Sequence, residues 1–171
     1  MTTIEQVAEE ISAFSKQYDV ENDEQNKSIA LNVYNQIDRF ADGIEPTAQE
    51  IAQFTVAINE HVQVRDLVLG IPKERDINYV GKWIAHVGNL TPEVYDVPVA
   101  TIMSSLYYAE GDEDKATYYI DKALSINPEY SLAKLLKRVY EANWGAQEMI
   151  DMRDKLHDQV KELLGISNDN N

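Results

Sequence analysis

The sequence predicts an all-α protein, an irregular bundle or stack of about eight antiparallel helices. Three observations predict it. Apolar residues recur every three or four positions through nearly the whole chain, no segment alternates convincingly with period two, and the 7 glycines and 5 prolines punctuate the periodic stretches. The first helix is expected from Thr3, which forms a capping box with Gln6, and carries the stripe Ile4, Val7, Ala8, Ile11 and Phe14 to about Tyr18. The polar run Asp19 to Asn26 reads as a connector. A second helix follows on Ile29, Ala30, Val33, Ile37 and Phe40, and Asp42-Gly43 stops it.

Pro46 and the box Thr47-x-x-Glu50 open a long third helix with Ile51, Phe54, Ile58, Val62, Leu67 and Leu69. Gly70 and Pro72 end it, because proline cannot continue the hydrogen-bond ladder. Ile77, Val80, Trp83, Ile84 and Val87 mark the fourth helix, which ends at Gly88-Asn89. Thr91-Pro92-Glu93 is a helix-start signal for the fifth, but Asp96-Val97-Pro98 moves its regular part to Pro98, and Gly111 ends it after Glu110. Asp112 to Ile126, Glu129 to Asn143 and Ala146 to Leu164 supply the last three. The chain reads as one domain over residues 1–171, or as a helical subdomain over 1–70 with a tetratricopeptide-like part over 73–165; the tail 166–171 is expected to fray.

Charge excludes several function classes. The 171 residues hold 30 acids against 15 bases, a net charge of −15. Residues 1–70 carry 13 acids and 4 bases, and residues 71–171 carry 17 and 11. Such a surface repels nucleic-acid phosphates and anionic lipid, so direct nucleic-acid or membrane binding is not expected. The absence of cysteine removes disulfides, thiolate metal sites and cysteine nucleophiles. Met1 to Glu5 has no signal-peptide character, and no stretch reaches the ~18 apolar residues of a membrane span. The expectation is a soluble, cytoplasmic protein.

One pattern rises above composition. Tyr107, Gly111-Asp112, Ala116, Ile120, Ala123-Leu124 and Asn127-Pro128 fall at the spacing of a tetratricopeptide-type helical hairpin over Thr101 to Tyr130. Small residues at 116 and 123 permit close helix approach, and the glycine permits the turn. A second repeat would need apolar or small residues where Lys134, Lys137 and Arg138 stand, so an array is not expected. The groove-facing positions would be Thr101, Ser105, Tyr108 and Ala109, without a Lys/Arg pair to clamp a carboxylate.

A wider resemblance runs through Val64-Arg65-Asp66-Leu67, Trp83, Pro98-Val99-Ala100, Ala109-Glu110-Gly111-Asp112, Ala116, Ala123-Leu124 and Asn127 to Ala133. Over roughly residues 60 to 145 the chain resembles the C-terminal half of an actinobacterial and actinophage domain of unknown function, family 4192. Ten lysines against five arginines point to a phage or other mobile-element version. The resemblance implies a fold and an origin, and no activity.

Catalytic, cofactor and metal signatures are not found. Asp154-x-x-His157 is an i, i+3 pair, but a helical di-metal site needs a second copy and further carboxylates, so surface pairing is expected. His86 reads as a hydrogen-bonded histidine at the core edge. Gly81-Lys82 is followed by Trp83, where a phosphate loop needs Ser or Thr. Arg65-Asp66 and Arg75-Asp76 flank the corner between the third and fourth helices, as anion-recognising groups or as interhelical pairs and caps. Ten tyrosines are many, and four cluster in the hairpin at 107, 108, 118 and 119. Adjacent tyrosines point about 100° apart, so one of each pair reaches the helix edge.

The partner-binding candidates are therefore Tyr108, Tyr118, Tyr119, Arg65 and Asp66. The expected function is a non-catalytic helical protein-interaction module that binds a protein partner or itself and needs no cofactor. The alternative is an acidic DNA mimic that inhibits a basic host protein, motivated by Glu21-Asn22-Asp23-Glu24 and Glu110-Gly111-Asp112-Glu113-Asp114. An uncharacterised enzyme is the third reading.

Overall fold

A computed structural model describes residues 1–167. Among these residues the chain forms nine α-helices and two short 3-10 turns, with no strand. The helices are α1 (Ile4–Ser15), α2 (Asp23–Ala41), α3 (Ala48–Glu60), α4 (Val62–Gly70), α5 (Ile77–Leu90), α6 (Val97–Ala109), α7 (Glu113–Ile126), α8 (Ser131–Glu141) and α9 (Ala146–Leu163). The 3-10 turns are Ile71–Lys73 and Glu93–Tyr95.

Local chemistry starts the helices where it can satisfy their free N–H groups. Thr3 with Gln6 and Thr47 with Glu50 form reciprocal capping boxes on α1 and α3. Asn22 accepts from Gln25 N–H at 3.0 Å, so α2 begins inside the expected connector, with Asp23 and Glu24 favourably placed in its first turn. Asn26, also expected in the connector, is buried; it accepts from the Tyr18 hydroxyl at 2.6 Å and donates to the Val20 carbonyl.

The long third helix is two helices. His61 is extended (φ −125°, ψ 110°), and its Nδ1 accepts from Val64 N–H at 3.3 Å, capping α4. The break resets the helical phase. A continuous helix would carry the Ile51, Phe54, Ile58 stripe on to Val62; instead Val62 is 52% exposed, and Val64, Leu67 and Val68 turn inward. Thr91 does not cap a helix, because its hydroxyl donates to the Val87 carbonyl at 2.8 Å. The helix expected fifth is α6, which accordingly starts at Val97, with Pro98 in its first turn, where the missing N–H costs nothing.

Two hydrophobic clusters meet along α6. The larger joins α1 to α5 with Val99, Ile102, Met103 and Leu106 of α6, and takes in Leu164 and Ile166. Trp83 is its fully buried centre, packed on Phe54 at 5.0 Å, and Trp83 Nε1 donates to Gln36 Oε1 at 3.2 Å. The smaller joins Val97, Ala100 and Tyr108 to α7, α8 and Met149 of α9. The division between clusters runs through α6 and not through Gly70-Ile71-Pro72. Ile166, assigned by sequence to a fraying tail, is packed in the larger cluster; residues 168–171 of that tail lie outside the described residues.

The α6–α7 hairpin is the most extensive helix pairing. Gly111 turns the chain with φ +82°, and Ala116 and Ala123 are fully buried between helices. Ser104 donates to the Ala116 carbonyl at 2.6 Å across the pair. Three of the four positions expected to face a groove do not: Thr101, Ser105 and Tyr108 are buried, because α5, α7, α8 and α9 all pack around α6, while Ala109 is half-buried.

Candidate functional site

The seam between the two clusters opens to the surface as a cleft between α5 and the α6–α7 hairpin. Two adjoining cavities share Ala85, Met103 and Tyr107. One, of about 240 Å³, continues past Gly81 and Lys82 to Glu110. The other, of about 280 Å³, is bounded by Gly88, Asp96, Tyr118, Tyr119 and Lys122. Small residues on α5 create the opening. A Cβ at Gly88 would stand 3.1 Å from Val99 Cγ1, so the glycine keeps α5 and α6 close while leaving the groove unfilled.

Three tyrosines line one side. Tyr107 and Tyr119 stack with centroids 5.5 Å apart and planes 8° from parallel, and Tyr118 meets Tyr119 edge-on at 5.0 Å and 86°. Lys115 Nζ lies 5.1 Å over the Tyr107 ring. Tyr118 itself is 64% exposed. Burial, with the neighbouring Tyr107 adding to it, raises the Tyr119 hydroxyl pKa.

Asp96 forms the buried end of the cleft. Its Oδ2 pairs with Lys122 Nζ at 2.8 Å, and Oδ1 has no hydrogen-bond partner. Burial pushes its carboxyl pKa up, Lys122 pulls against that, and Glu93 adds to it. The Lys122 ammonium is held protonated by the same hydrogen bond. This arrangement can stack flat groups and accept a hydrogen bond at a desolvated carboxylate.

Of the sequence-predicted residues, Tyr118 and Tyr119 belong to this cleft. Tyr108 does not and is corrected: at 3% exposure it faces the smaller cluster, stacks on Tyr140 at 4.3 Å and donates to the Trp144 carbonyl. Arg65 and Asp66 lie elsewhere. Arg65 pairs with Asp66 at 2.8 Å and donates to the Tyr130 hydroxyl at 3.2 Å, which ties α4 to the start of α8. Arg65 borders a separate cavity of about 400 Å³ with Val62, Tyr130 and Leu135. Arg75 reaches Asp38 at 2.7 Å, and Asp76 caps α5 through Asn78 N–H at 2.8 Å. Sequence reasoning missed Asp96 and Lys122 as a pair, since 26 positions and a helix turn separate them and no spacing rule joins them.

A second polar cluster lies away from the cleft, buried at His157 and Lys161 and half-buried at Glu74 and Tyr34. Glu74 accepts from Tyr34 at 2.6 Å and from Lys161 at 2.5 Å, and His157 Nε2 lies 3.1 Å from its Oε2. Burial opposes ionisation of Glu74, but the Lys161, Tyr34 and His157 contacts outweigh it and lower its pKa to about 2. The expected surface pair Asp154–His157 is therefore not formed. His157 is fully buried because Gly70 leaves room for its ring, and Asp154 pairs with Arg153. His86 packs on Phe40 at 5.2 Å, and its buried Nε2 has no protein partner, where a hydrogen-bonded edge histidine was expected.

Among the described residues no group of three or more His, Asp or Glu is arranged to hold a metal ion, and no helix is long and apolar enough to cross a membrane. A family model described as Domain of unknown function (DUF4192) matches residues 3–145. The match starts well before the segment from about residue 60 that carries the sequence resemblance, so α1 to α3 fall within it, while α9 follows it. No curated protein and no solved structure matches the chain.

Proposed function

Because the chain belongs to the DUF4192 family, whose description assigns no activity, we propose from its own geometry that it is a non-catalytic helical protein–protein interaction module. The partner face is the cleft between α5 and the α6–α7 hairpin. The carrying observation is Tyr118: a large ring held edge-on by Tyr119 at the mouth of a cleft, and mostly exposed. Tyrosine contributes area with a polar tip and little entropy loss, which is why interface anchors are rich in it. The partner is a protein or a second copy of the chain, with no direct nucleic-acid or membrane role, and the site of action is the cytoplasm. The turn at Gly111 and the buried Ala116 and Ala123 support likeness to a single tetratricopeptide hairpin. The excess of lysine over arginine, ten to five, supports a phage or mobile-element accessory protein of an actinobacterial host.

The exposed acids at Glu110, Glu113 and Asp114 favour a second reading, an acidic DNA-mimic-type inhibitor of a basic host protein. Affinity purification from an actinobacterial host, at low and moderate salt, separates the two. A partner kept at moderate salt and lost with Tyr118→Ala supports the interaction module. A partner lost with salt and indifferent to Tyr118→Ala supports the decoy, because screening removes long-range charge attraction. Monomer alone in sedimentation, with no partner recovered, contradicts both.

A further inference from the structure

Asp96 stands directly before α6, where a carboxylate ordinarily accepts from the first free N–H groups of the helix. It makes no such cap. Its side chain is instead drawn to Lys122, which satisfies Oδ2 and leaves Oδ1 without a donor in a residue 4% exposed. A buried carboxylate oxygen without a donor is costly, and the Lys122 ion pair at Oδ2 offsets only part of that cost. The residue also lines the open cleft. These facts belong together if a ligand completes the site.

We infer that the cleft takes an arginine side chain of a basic protein partner, with a guanidinium N–H donating to Asp96 Oδ1. The inference rests on the interaction-module reading and names the chemistry of its partner. A guanidinium carries five donors in a rigid plane, so it can meet a carboxylate and lie against an aromatic ring at once; an ammonium is a strongly hydrated point charge. The ring is present in Tyr118, whose exposed surface borders the same cavity. Past Tyr107 the cleft ends at the exposed Glu110. The net charge of −15 steers a basic segment toward the cleft.

The test is fluorescence anisotropy with a labelled peptide of alternating arginine and glycine, and with its lysine counterpart, against four proteins. These are the unmodified chain, Asp96→Asn, Asp114→Asn and Tyr118→Ala. Asp96→Asn and Asp114→Asn each remove one negative charge, the first in the cleft and the second in the exposed first turn of α7, outside the cleft lining. The arginine peptide is expected to bind the unmodified chain about tenfold tighter than the lysine peptide. Asp96→Asn should weaken it roughly ten- to a hundredfold, Tyr118→Ala several-fold, and Asp114→Asn about twofold at most. Equal weakening by Asp96→Asn and Asp114→Asn, or equal affinity for the two peptides, overturns the inference in favour of diffuse acidic attraction. No binding of either peptide overturns it too, while a partner whose capture depends on Tyr118 would leave the interaction module standing. If Asp96→Asn fails to fold by circular dichroism, the Tyr118→Ala result and the peptide comparison decide alone.

Discussion

Gly70→Ala is a sharp test of how α9 is held. Gly70 ends α4 in right-handed helical geometry (φ −95°, ψ −8°), so alanine meets no backbone obstacle. The obstacle is His157. An added Cβ would lie 2.3 Å from Nδ1, 2.6 Å from Cγ and 2.8 Å from Cβ of that ring. Because the root of the histidine side chain is involved as well as its tip, the ring cannot swing aside; α9 or α4 must shift, or the His157–Glu74 contact at 3.1 Å must break. Overpacking a tight core costs about 1–3 kcal/mol, and losing a buried hydrogen bond to a charged group about 1.5–3 kcal/mol. The helical Gly→Ala gain of roughly 0.5–1 kcal/mol opposes both. With both costs incurred the net expectation is a loss of about 1.5–5.5 kcal/mol, measured by urea unfolding followed by circular dichroism. Gly81→Ala is the matched control: nothing lies within 4 Å of its Cβ, and it sits inside α5, so it should stabilise by about 0.5–1 kcal/mol. In a His157→Ala background, which removes Nδ1 and Cγ but keeps the Cβ contact at 2.8 Å, the Gly70→Ala penalty should shrink. A Gly70→Ala protein as stable as the parent, or an unchanged penalty without His157, would refute the packing of α9 on α4.

Other outcomes follow from the same structure. Glu74 has a folded-state pKa of about 2 against an ordinary 4.5, so its stabilisation is complete above pH 4.5 and is lost as pH falls through 2. Acid unfolding followed by tryptophan fluorescence should show that window move to higher pH in Lys161→Met, which removes a donor to Glu74. Gly111→Ala forces a Cβ onto a residue with φ +82° and should cost about 1–2 kcal/mol in urea unfolding, although nothing lies within 4 Å of the new atom. Ala116→Leu inserts bulk at a fully buried α6–α7 contact and should lower stability by about 1–3 kcal/mol, or prevent folding.

Helix order and most inner faces are legible in the sequence because burial imposes the helical period on them. Val7, Ile11, Phe14, Val33, Ile37, Trp83 and Ile84 lie on the expected stripes and are buried. The caps at Thr3 and Thr47 are legible because a capping box is local chemistry. The break at His61 is not. Val62 continues the apolar stripe of α3, and only the tertiary preference for packing α4 on α9 turns Val64 inward in its place, while Leu67 is buried as its stripe predicts. The same limit hides the polar clusters: Glu74 meets His157 and Lys161 across more than eighty positions, and Asp96 meets Lys122 across a hairpin. Tyr118 is legible as an edge aromatic because adjacent tyrosines diverge. Its neighbour Tyr119 and the misjudged Tyr108 differ only in what packs beside them, which no local pattern records.

The measurement closest to the central claim is a titration of isotope-labelled protein with N-acetyl-arginine amide, following amide and aromatic chemical shifts. The account predicts saturable shifts at Asp96, Tyr118, Tyr119 and Lys122, absent in Asp96→Asn and retained in Asp114→Asn. Small, unsaturating shifts spread over the acidic surface, and alike in both variants, would contradict it.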